Sequence, residues 1–434
     1  MLRTRAAVVA GKAARLAARL RGGGGSAMPG LVAERIDPSF LAHALAGIPG
    51  GIVVVSGTNG KTTTTKMLAA LMRAHGKRVF TNPTGSNFTR GVISSMLGEL
   101  PLSGRLDADV AVLELDEWHA LQFAKVVTPT HALLLNVARD QLDRFAEIDT
   151  TAKLLTTLAS QTTTGVVLNR DDSFVARIRP QVGDGVSVRY FGIDPVVADD
   201  LPPLHEADVR FDDNFAPPHT TPADGMLHPH DARSFSILFG EWSVGPIELK
   251  QRGLAAMINA TAATTTARML LGDDFNETRA LEALGAVTPP FGRGEVIDAG
   301  GYPLELVLVK NPAGFTMALG TYGAEPVTTM VAINDDYADG QDVSWLYDVS
   351  FESLRDRGVA LTSGVRAYDM ALRLDYDDVA VEEVVPDLEE ALQRLLAAYP
   401  HEARRIFCTY TAMMRLRRLL ATRYHLAEFG EESA

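Results

Sequence analysis

The sequence predicts an α/β protein: a central nucleotide-binding domain on a parallel sheet, then a second, Rossmann-like α/β domain. Three observations carry that prediction. Strand-like runs that are apolar throughout alternate with helical segments, as in a parallel sheet covered on both faces. The run Val53-Val54-Val55 leads through Ser56-Gly57-Thr58-Asn59-Gly60-Lys61-Thr62-Thr63-Thr64 into an apolar-periodic helix (Met67, Leu68, Leu71, Met72). After a Pro-Pro and Gly-Arg-Gly linker at 286–294 the alternation begins again.

Residues 1–48 read as a basic helix and a linker. Residues 1–21 carry Arg3, Arg5, Lys12, Arg15, Arg19 and Arg21 and no acid, with Leu2, Val8, Val9, Leu16 and Leu20 among alanines. Lys12 and Arg15 interrupt the apolar core that a signal peptide needs. Such a helix either rests on an anionic membrane surface or packs on the protein body with its basic face solvated. Gly22 to Gly25 form a flexible joint, and a short helix over Pro38 to Leu45 leads into the first strand.

Residues 49–288 form the expected nucleotide-binding domain. Strand, Gly-containing turn and helix start, in that order, present backbone N–H groups and a partial positive charge to a phosphate. Gly57 and Gly60 leave the backbone of Thr58, Asn59 and Thr63 approachable. Lys61 brings a cation to the β/γ-phosphates, and the Thr62 hydroxyl is placed for Mg²⁺. Val55 stands where the strict P-loop has its first glycine, so the motif is a shortened variant.

Further strands are read at Arg78–Asn82, with a polar loop Pro83–Asn87 after it, and at Asp109–Glu114, His131–Asn136 and Gly165–Asn169. Ligands of such sheets sit beyond the carboxyl ends of the strands, so one site should collect the loop, Glu114 and Asp140. Glu114 is the carboxylate expected nearest a metal; Asp140 and Asp143 read equally well as solvated acids. Residues 195–250 are rich in Asp, Pro and His, with strand-like pieces at Ser234–Phe239 and Pro246–Leu249. The spacing of His205, His219, His228 and His230 matches no standard zinc site. A helix resumes near Ala255 and runs toward Leu271. Its Asn259 either meets an adenine or serves an internal polar contact.

Residues 289–434 form the second α/β domain. Strands are read at Leu304–Val309, Thr328–Ile333, Val359–Thr362, Val379–Val381 and Arg405–Thr409, with helices at Asp387–Ala398 and around Arg415, Arg417 and Arg418. The loop Asn334–Asp348 combines many acids with aromatics after a strand end, which is unusual for a passive connection.

A net charge of −13 argues against general nucleic-acid binding, and no apolar run approaches the length that spans a bilayer. The single cysteine, Cys408, excludes an intrachain disulfide and lies in an apolar segment as a core thiol. The compartment expected is the cytoplasm.

The nucleotide loop resembles the ATP loop of the Mur ligase superfamily. The Glu114 strand end, Asn169-Arg170-Asp171-Asp172 and Gly292-Arg293 agree with that likeness. Lys310-Asn311-Pro312-Ala313-Gly314 and Asp339-Gly340-Gln341-Asp342-Val343-Ser344-Trp345 narrow it to the MurT family, synthetase subunits that work with a separate GatD-type glutaminase subunit as a heterodimer. The resemblance implies a Mur ligase-type ATPase domain, ATP and Mg²⁺, and lipid II at the cytoplasmic membrane face as substrate. It implies that ATP phosphorylates the α-carboxylate of D-glutamate in the stem peptide and that ammonia from the partner displaces phosphate. Carried over residue by residue, Gly57 to Thr63, Asn259 and Arg293 bind the nucleotide, and Thr62 and Glu114 hold the metal. Glu114 and Asp342 are catalytic, Asp342 by completing the partner's Cys-His pair.

Two departures stand out. Many members carry a four-Cys zinc ribbon, which a chain with only Cys408 cannot hold, and Ala256 replaces the first of two asparagines expected on the Asn259 helix. An amino-acid-adding Mur or folylpolyglutamate-type ligase, and a nucleotide-binding scaffold without turnover, are the competing readings.

Overall fold

A computed structural model of the protein describes residues 2–20, 27–82, 89–138, 148–198, 223–424 and 426. The Gly22–Gly25 joint, the Pro83–Asn87 loop, Asp140, Asp143, His205 and His219 lie outside the described residues.

Helices α1 (Leu2–Leu20), α2 (Met28–Ile36) and α3 (Phe40–Leu45) precede the first sheet. Its first half contains β1 (Ile52–Ser56), α4 (Lys61–Ala74), β2 (Val79–Thr81), α5 (Thr89–Glu99), β3 (Val110–Glu114) and α6 (Glu117–Ala124). There follow β4 (His131–Leu134), α7 (Ile148–Gln161), β5 (Gly165–Asn169), α8 (Ser173–Ala176), β6 (Ser187–Ile193) and α9 (Pro195–Ala198). The strands β7 (Gly225–Pro229), β8 (Ser234–Phe239) and β9 (Trp242–Glu248) lead to α10 (Leu254–Leu271) and α11 (Glu277–Ala286).

Among the described residues these strands make one sheet in the order β2-β3-β1-β4-β5-β6-β7-β8-β9. Pairing is parallel from β2 to β7 and antiparallel for the last two pairs. Alternate residues of β1 serve opposite cores: Ile52 and Val54 pack with α5 and α7 residues, Val53 and Val55 with α4 and α10 residues. Two-sided burial is why the strand is apolar throughout. The buried threonines of α10 need no outside partner, because Thr261, Thr264, Thr265 and Thr266 each donate to the carbonyl four residues back.

The second sheet contains β10 (Arg293–Asp298), β11 (Pro303–Leu308), α12 (Pro312–Tyr322), β12 (Thr328–Ala332), β13 (Val359–Ser363) and α13 (Ala367–Asp375). It ends with β14 (Val381–Val384), α14 (Leu388–Ala398), β15 (Arg404–Cys408) and α15 (Tyr410–Ala421). The order is β10-β11-β15-β12-β13-β14, with only β10 antiparallel. Ile406 and Cys408 face one core and Phe407 the other. Burial pushes the Cys408 thiol well up, so it is an inert core residue.

Several elements differ from the sequence reading. The strand expected at Val379–Val381 lies at Val381–Val384, where it pairs only with β13 and exposes Glu382 and Glu383. The strand expected from Pro246 already begins at Trp242, and the 286–294 linker ends inside β10 at Arg293. Strand β6 and helix α2 are further elements beyond those read from the sequence. Helix α1 packs one side on the body: Ala7 and Val8 join the core of Val54, and Thr4 donates to Asp37 at 2.8 Å. No helix among the described residues is long and apolar enough to cross a membrane.

A guanidinium network ties the sheets together. Arg252, just ahead of α10, donates to Glu325 at 2.5 Å, and Arg405 of β15 reaches Glu305 at 2.8 Å and Glu325 at 2.5 Å. Both guanidiniums lie over the Tyr322 ring, at 5.3 and 4.6 Å. Burial alone would raise the Glu325 carboxyl, but its two arginines hold it below the ordinary range.

Candidate active site

At the carboxyl ends of β1, β3 and β4, facing α12, lies a cavity of about 570 Å³. β1 sits between β3 and β4, so the chain leaves it at the point where strand order diverges and a crevice opens.

The turn after β1 is pinned to β4. Thr58 N–H donates to the Asn136 carbonyl at 3.0 Å, Asn59 N–H to Asn136 Oδ1 at 2.8 Å, and Asn136 Nδ2 returns a bond to the Asn59 carbonyl at 3.0 Å. Gly57 has φ 133° and Gly60 φ 88°, conformations that side chains rarely adopt. A Cβ on Gly57 would stand 2.9 Å from Asn136 N, and one on Gly60 would stand 2.4 Å from Asn259 Oδ1. Gly60 is also the residue before the first turn of α4, so the loop delivers the N-terminus of a 14-residue helix to the cavity.

Lys61 is buried and its ammonium curls back over the loop, donating to the Gly57 carbonyl at 2.5 Å and the Thr58 carbonyl at 3.3 Å, with Glu117 Oε1 at 4.0 Å. Thr62 Oγ1 donates to Glu114 Oε1 at 2.9 Å. The two residues expected to hold a metal are therefore in contact. Glu114 is held by its backbone as well: Asn82 Nδ2 donates to its carbonyl and its N–H donates to Asn82 Oδ1, both at 2.8 Å. Hard oxygen donors grouped at a phosphate loop suit Mg²⁺, which takes one or two protein ligands and keeps the rest for phosphates and water.

Asp116 caps α6 and accepts from His119 N–H at 2.9 Å and Nδ1 at 2.8 Å. Burial would raise its carboxyl, yet the His119 bonds and the Lys61 charge hold it below the ordinary range. It lines the cavity as an anion.

Asn259 lines the cavity beside Gly60, whereas Ala256 is fully buried in the core that α10 shares with β1. The position of the missing asparagine thus faces the sheet. Arg293 of β10 lines the cavity as well. The Asn169–Asp172 motif is braced internally. Asn169 holds the Leu135 carbonyl at 2.8 Å, Asp171 takes Arg170 and the Ile193 N–H, and Asp172 takes the Val137 N–H at 2.9 Å. It fastens the ends of β4 and β6, and its Asn169, Asp171 and Asp172 line the cavity.

The second sheet supplies contacts that the sequence reading gave no role. Lys310 Nζ donates to the Thr58 carbonyl at 3.4 Å. Asn311, fully buried, exchanges side-chain bonds with Asn59 at 3.1 and 3.4 Å and caps α12 through Gly314 N–H at 2.7 Å. Asn before Pro is a legible helix start, but its second use is tertiary.

Asp342 stands apart from this cavity. It is exposed, accepts from Ser344 N–H at 2.8 Å, and that bond holds its carboxyl below the ordinary range. Asp339 of the same loop is buried, braced by Thr411 N–H at 2.8 Å and by its hydroxyl, and burial holds its carboxyl up. In the same loop Tyr347 meets Tyr376 edge to face at 6.0 Å, and Tyr368 and Leu372 of α13 are exposed. Among the described residues no group of His, Cys, Asp and Glu forms a metal cluster; His228 instead pairs with Asp194 at 2.8 Å.

A family model for the Mur ligase middle domain matches residues 55–267, and one for the MurT ligase C-terminal region matches 308–413. The chain is 30% identical to the lipid II isoglutaminyl synthase (glutamine-hydrolyzing) subunit MurT of Streptococcus pneumoniae, over 92% of this chain and 93% of that protein. With the subunit of that name from Staphylococcus aureus (strain COL) it shares 27% identity over 86% and 88%. The MurF ligase of Thermotoga maritima, solved in complex with ADP, has the same fold, with a TM-score of 0.62 and 16% identity over 89% of this chain and 82% of that one.

Proposed function

Because the chain belongs to the MurT family of Mur ligases, we propose that it is the synthetase subunit of a lipid II isoglutaminyl synthase. It is an ATP-dependent ligase of peptidoglycan synthesis, and a subunit of a complex. The finer reading is that it amidates the α-carboxylate of D-glutamate in the stem peptide with ammonia made by a GatD-type glutaminase. The domains that go with it are residues 1–48, the ATP-binding 49–288 and the glutaminase-facing 289–434.

A carboxylate is a poor acyl donor. Its oxygen attacks the γ-phosphorus, ADP leaves, and the resulting acyl phosphate loses phosphate when the ammonia nitrogen attacks the carbonyl carbon. Nothing on the protein need become covalent, so its work is positioning and charge neutralisation. The loop N–H groups from Thr58 to Thr63 and the N-terminus of α4 would cradle the phosphates, with Lys61 and Lys310 as their cations. Thr62 and Glu114 would hold Mg²⁺, which when bound screens the charge that builds on the phosphate oxygens. Asn259 and Arg293 line the nucleotide's side of the cavity.

The observation that carries the partner reading is that Asp342 is exposed and outside the cavity lining, in a loop that also exposes Tyr347. A carboxylate outside the ATP site suits a role on another subunit's histidine, and tyrosines are favoured where proteins dock. Co-purification with a class I glutaminase, followed by mass spectrometry of lipid II incubated with ATP and glutamine, tests this. A mass loss of about one unit per stem peptide, the change of OH to NH₂, is expected. Addition of an amino acid instead would make the protein an amino-acid-adding ligase.

A further inference from the structure

The fold uses only one side of α1. Thr4, Ala7, Val8 and Gly11 are buried, Gly11 closely against Leu97 of α5. Leu2, Val9 and Leu16 are 84%, 56% and 61% exposed. A spacing of seven returns to nearly the same side of a helix, so these three make one line, opposite the buried stripe. Arg5, exposed, and Lys12, half-buried, are also seven apart and run alongside it. A surface helix ordinarily turns its large apolar side chains inward. Here Thr4, Ala7, Val8 and Gly11 face the protein, while Leu2, Val9 and Leu16 face out.

Charge says what could cover that line. Six of the 41 Lys and Arg lie in residues 1–21, and none of the 54 Asp and Glu does, in a chain of net charge −13. An anionic bilayer would repel the protein as a whole and attract this segment, so approach would be oriented. A second copy of the chain would instead bring like charge against like.

We infer that the outer face of α1 docks on an anionic lipid bilayer, with Leu2, Val9 and Leu16 at the headgroup–acyl boundary and Arg5 and Lys12 on lipid phosphates. The inference deepens the reading of the substrate as a lipid-carried peptide. Helix α2, packed on α1, begins beside the first turns of α5, where Gly30 N–H donates to Ser94 at 2.9 Å. Helix α5 follows the carboxyl end of β2, the end at which the cavity opens. Docking α1 would keep that cavity close to the membrane face.

Flotation of the full chain, with its partner subunit, tests the docking on vesicles of phosphatidylcholine alone and of phosphatidylcholine mixed with phosphatidylglycerol. Salt-sensitive binding to the mixed vesicles is expected, weakened at least about tenfold in Arg5→Glu/Lys12→Glu. Val9→Ser/Leu16→Ser should also weaken it, while its thermal midpoint stays at the wild-type value because both positions are exposed. Equal binding to neutral vesicles, wild-type binding by both variants, or no binding at all would overturn the inference. So would a concentration-dependent dimer that these variants dissolve, which would assign the face to a second copy. Vesicle binding without any amidation of lipid II would sink the substrate reading and leave the docking standing. Amidation without vesicle binding would do the reverse.

Discussion

Asn59 and Asn311 are 252 positions apart in sequence and face each other through their side-chain amides: Asn311 Nδ2 donates to Asn59 Oδ1 at 3.1 Å, and Asn59 Nδ2 donates back at 3.4 Å. Asn59 belongs to the nucleotide loop and Asn311 caps a helix of the second sheet, so nucleotide binding and the pose of that sheet share one contact. Asn311→Ala should cost about 1 kcal/mol for the lost cap and raise the KM for ATP. Asn311→Ser can still cap α12 but is too short to reach Asn59, so it should keep more of the unfolding midpoint than Asn311→Ala and still weaken ATP binding. If both variants bound ATP like the wild type in calorimetry, the pair would be a packing contact only.

Lys61 is a buried cation of the proposed phosphate cradle. Lys61→Ala should lower ATP-dependent phosphate release by about 10²-fold or more, since the charge it faces develops during transfer. Release at the wild-type rate would remove the loop from the mechanism.

Thr62 and Glu114 hold each other at 2.9 Å, which makes a metal role separable from a structural one. Glu114→Gln keeps an acceptor for Thr62 and loses only charge. Its activity should fall and recover in part at high Mg²⁺, with the half-saturating Mg²⁺ concentration shifted upward. Full activity with an unchanged Mg²⁺ dependence would mark the Glu114 carboxylate as a brace for the Thr62 hydroxyl only.

What could be read from the chain followed from how local its cause was. The loop from Gly57 to Thr63 is one continuous stretch, and β1, β3, β4 and β5 are apolar because both their faces are buried, so each announces itself. Strand β14 pairs on one side only and exposes Glu382 and Glu383, which erased the apolar signature and moved the expected strand toward Val379. Strand β6 opens on a half-solvated Ser187-Val188-Arg189 and lacks a continuous apolar signature for the same reason. The site was legible on its first-sheet side and not on the other. Nothing near Lys310 or Asn311 in sequence says that they meet Thr58 and Asn59, because that contact is made by how the two sheets pack.

His131, at the start of β4, gives a pH dependence with a definite sign. Burial holds its imidazole down at about 4, against 6.5 for an unperturbed one. Between those values the folded protein binds fewer protons than the unfolded chain. Its contribution is therefore complete above about 6.5 and is lost as pH falls toward 4, with a ceiling of about 3 kcal/mol. Urea denaturation at several pH values should show the wild type losing more stability than His131→Gln over that window. Parallel slopes for the two proteins would show that His131 titrates normally.

Asp342 separates an amidotransferase subunit from its rivals. It is solvent-facing, already ionised with help from the Ser344 N–H, and set in a loop that the buried Asp339 fastens to Thr411. A loop fastened by Asp339 that turns the Asp342 carboxylate to solvent is suited to orienting a group on another protein. If that group is the glutaminase's histidine, Asp342→Asn keeps size and most hydrogen bonding but removes the charge that stabilises the imidazolium when the partner's cysteine becomes a thiolate. Glutamine-dependent amidation should then fall by about 10²-fold or more, while amidation driven by added ammonium salt persists, because the proposed acyl phosphate would form in the cavity between the sheets. The comparison is made in one complex, with one lipid II preparation and two nitrogen sources. An amino-acid-adding ligase has no glutamine-dependent rate to lose. Loss of the ammonium-driven reaction as well would put Asp342 in the synthetase site and overturn its assignment to the partner.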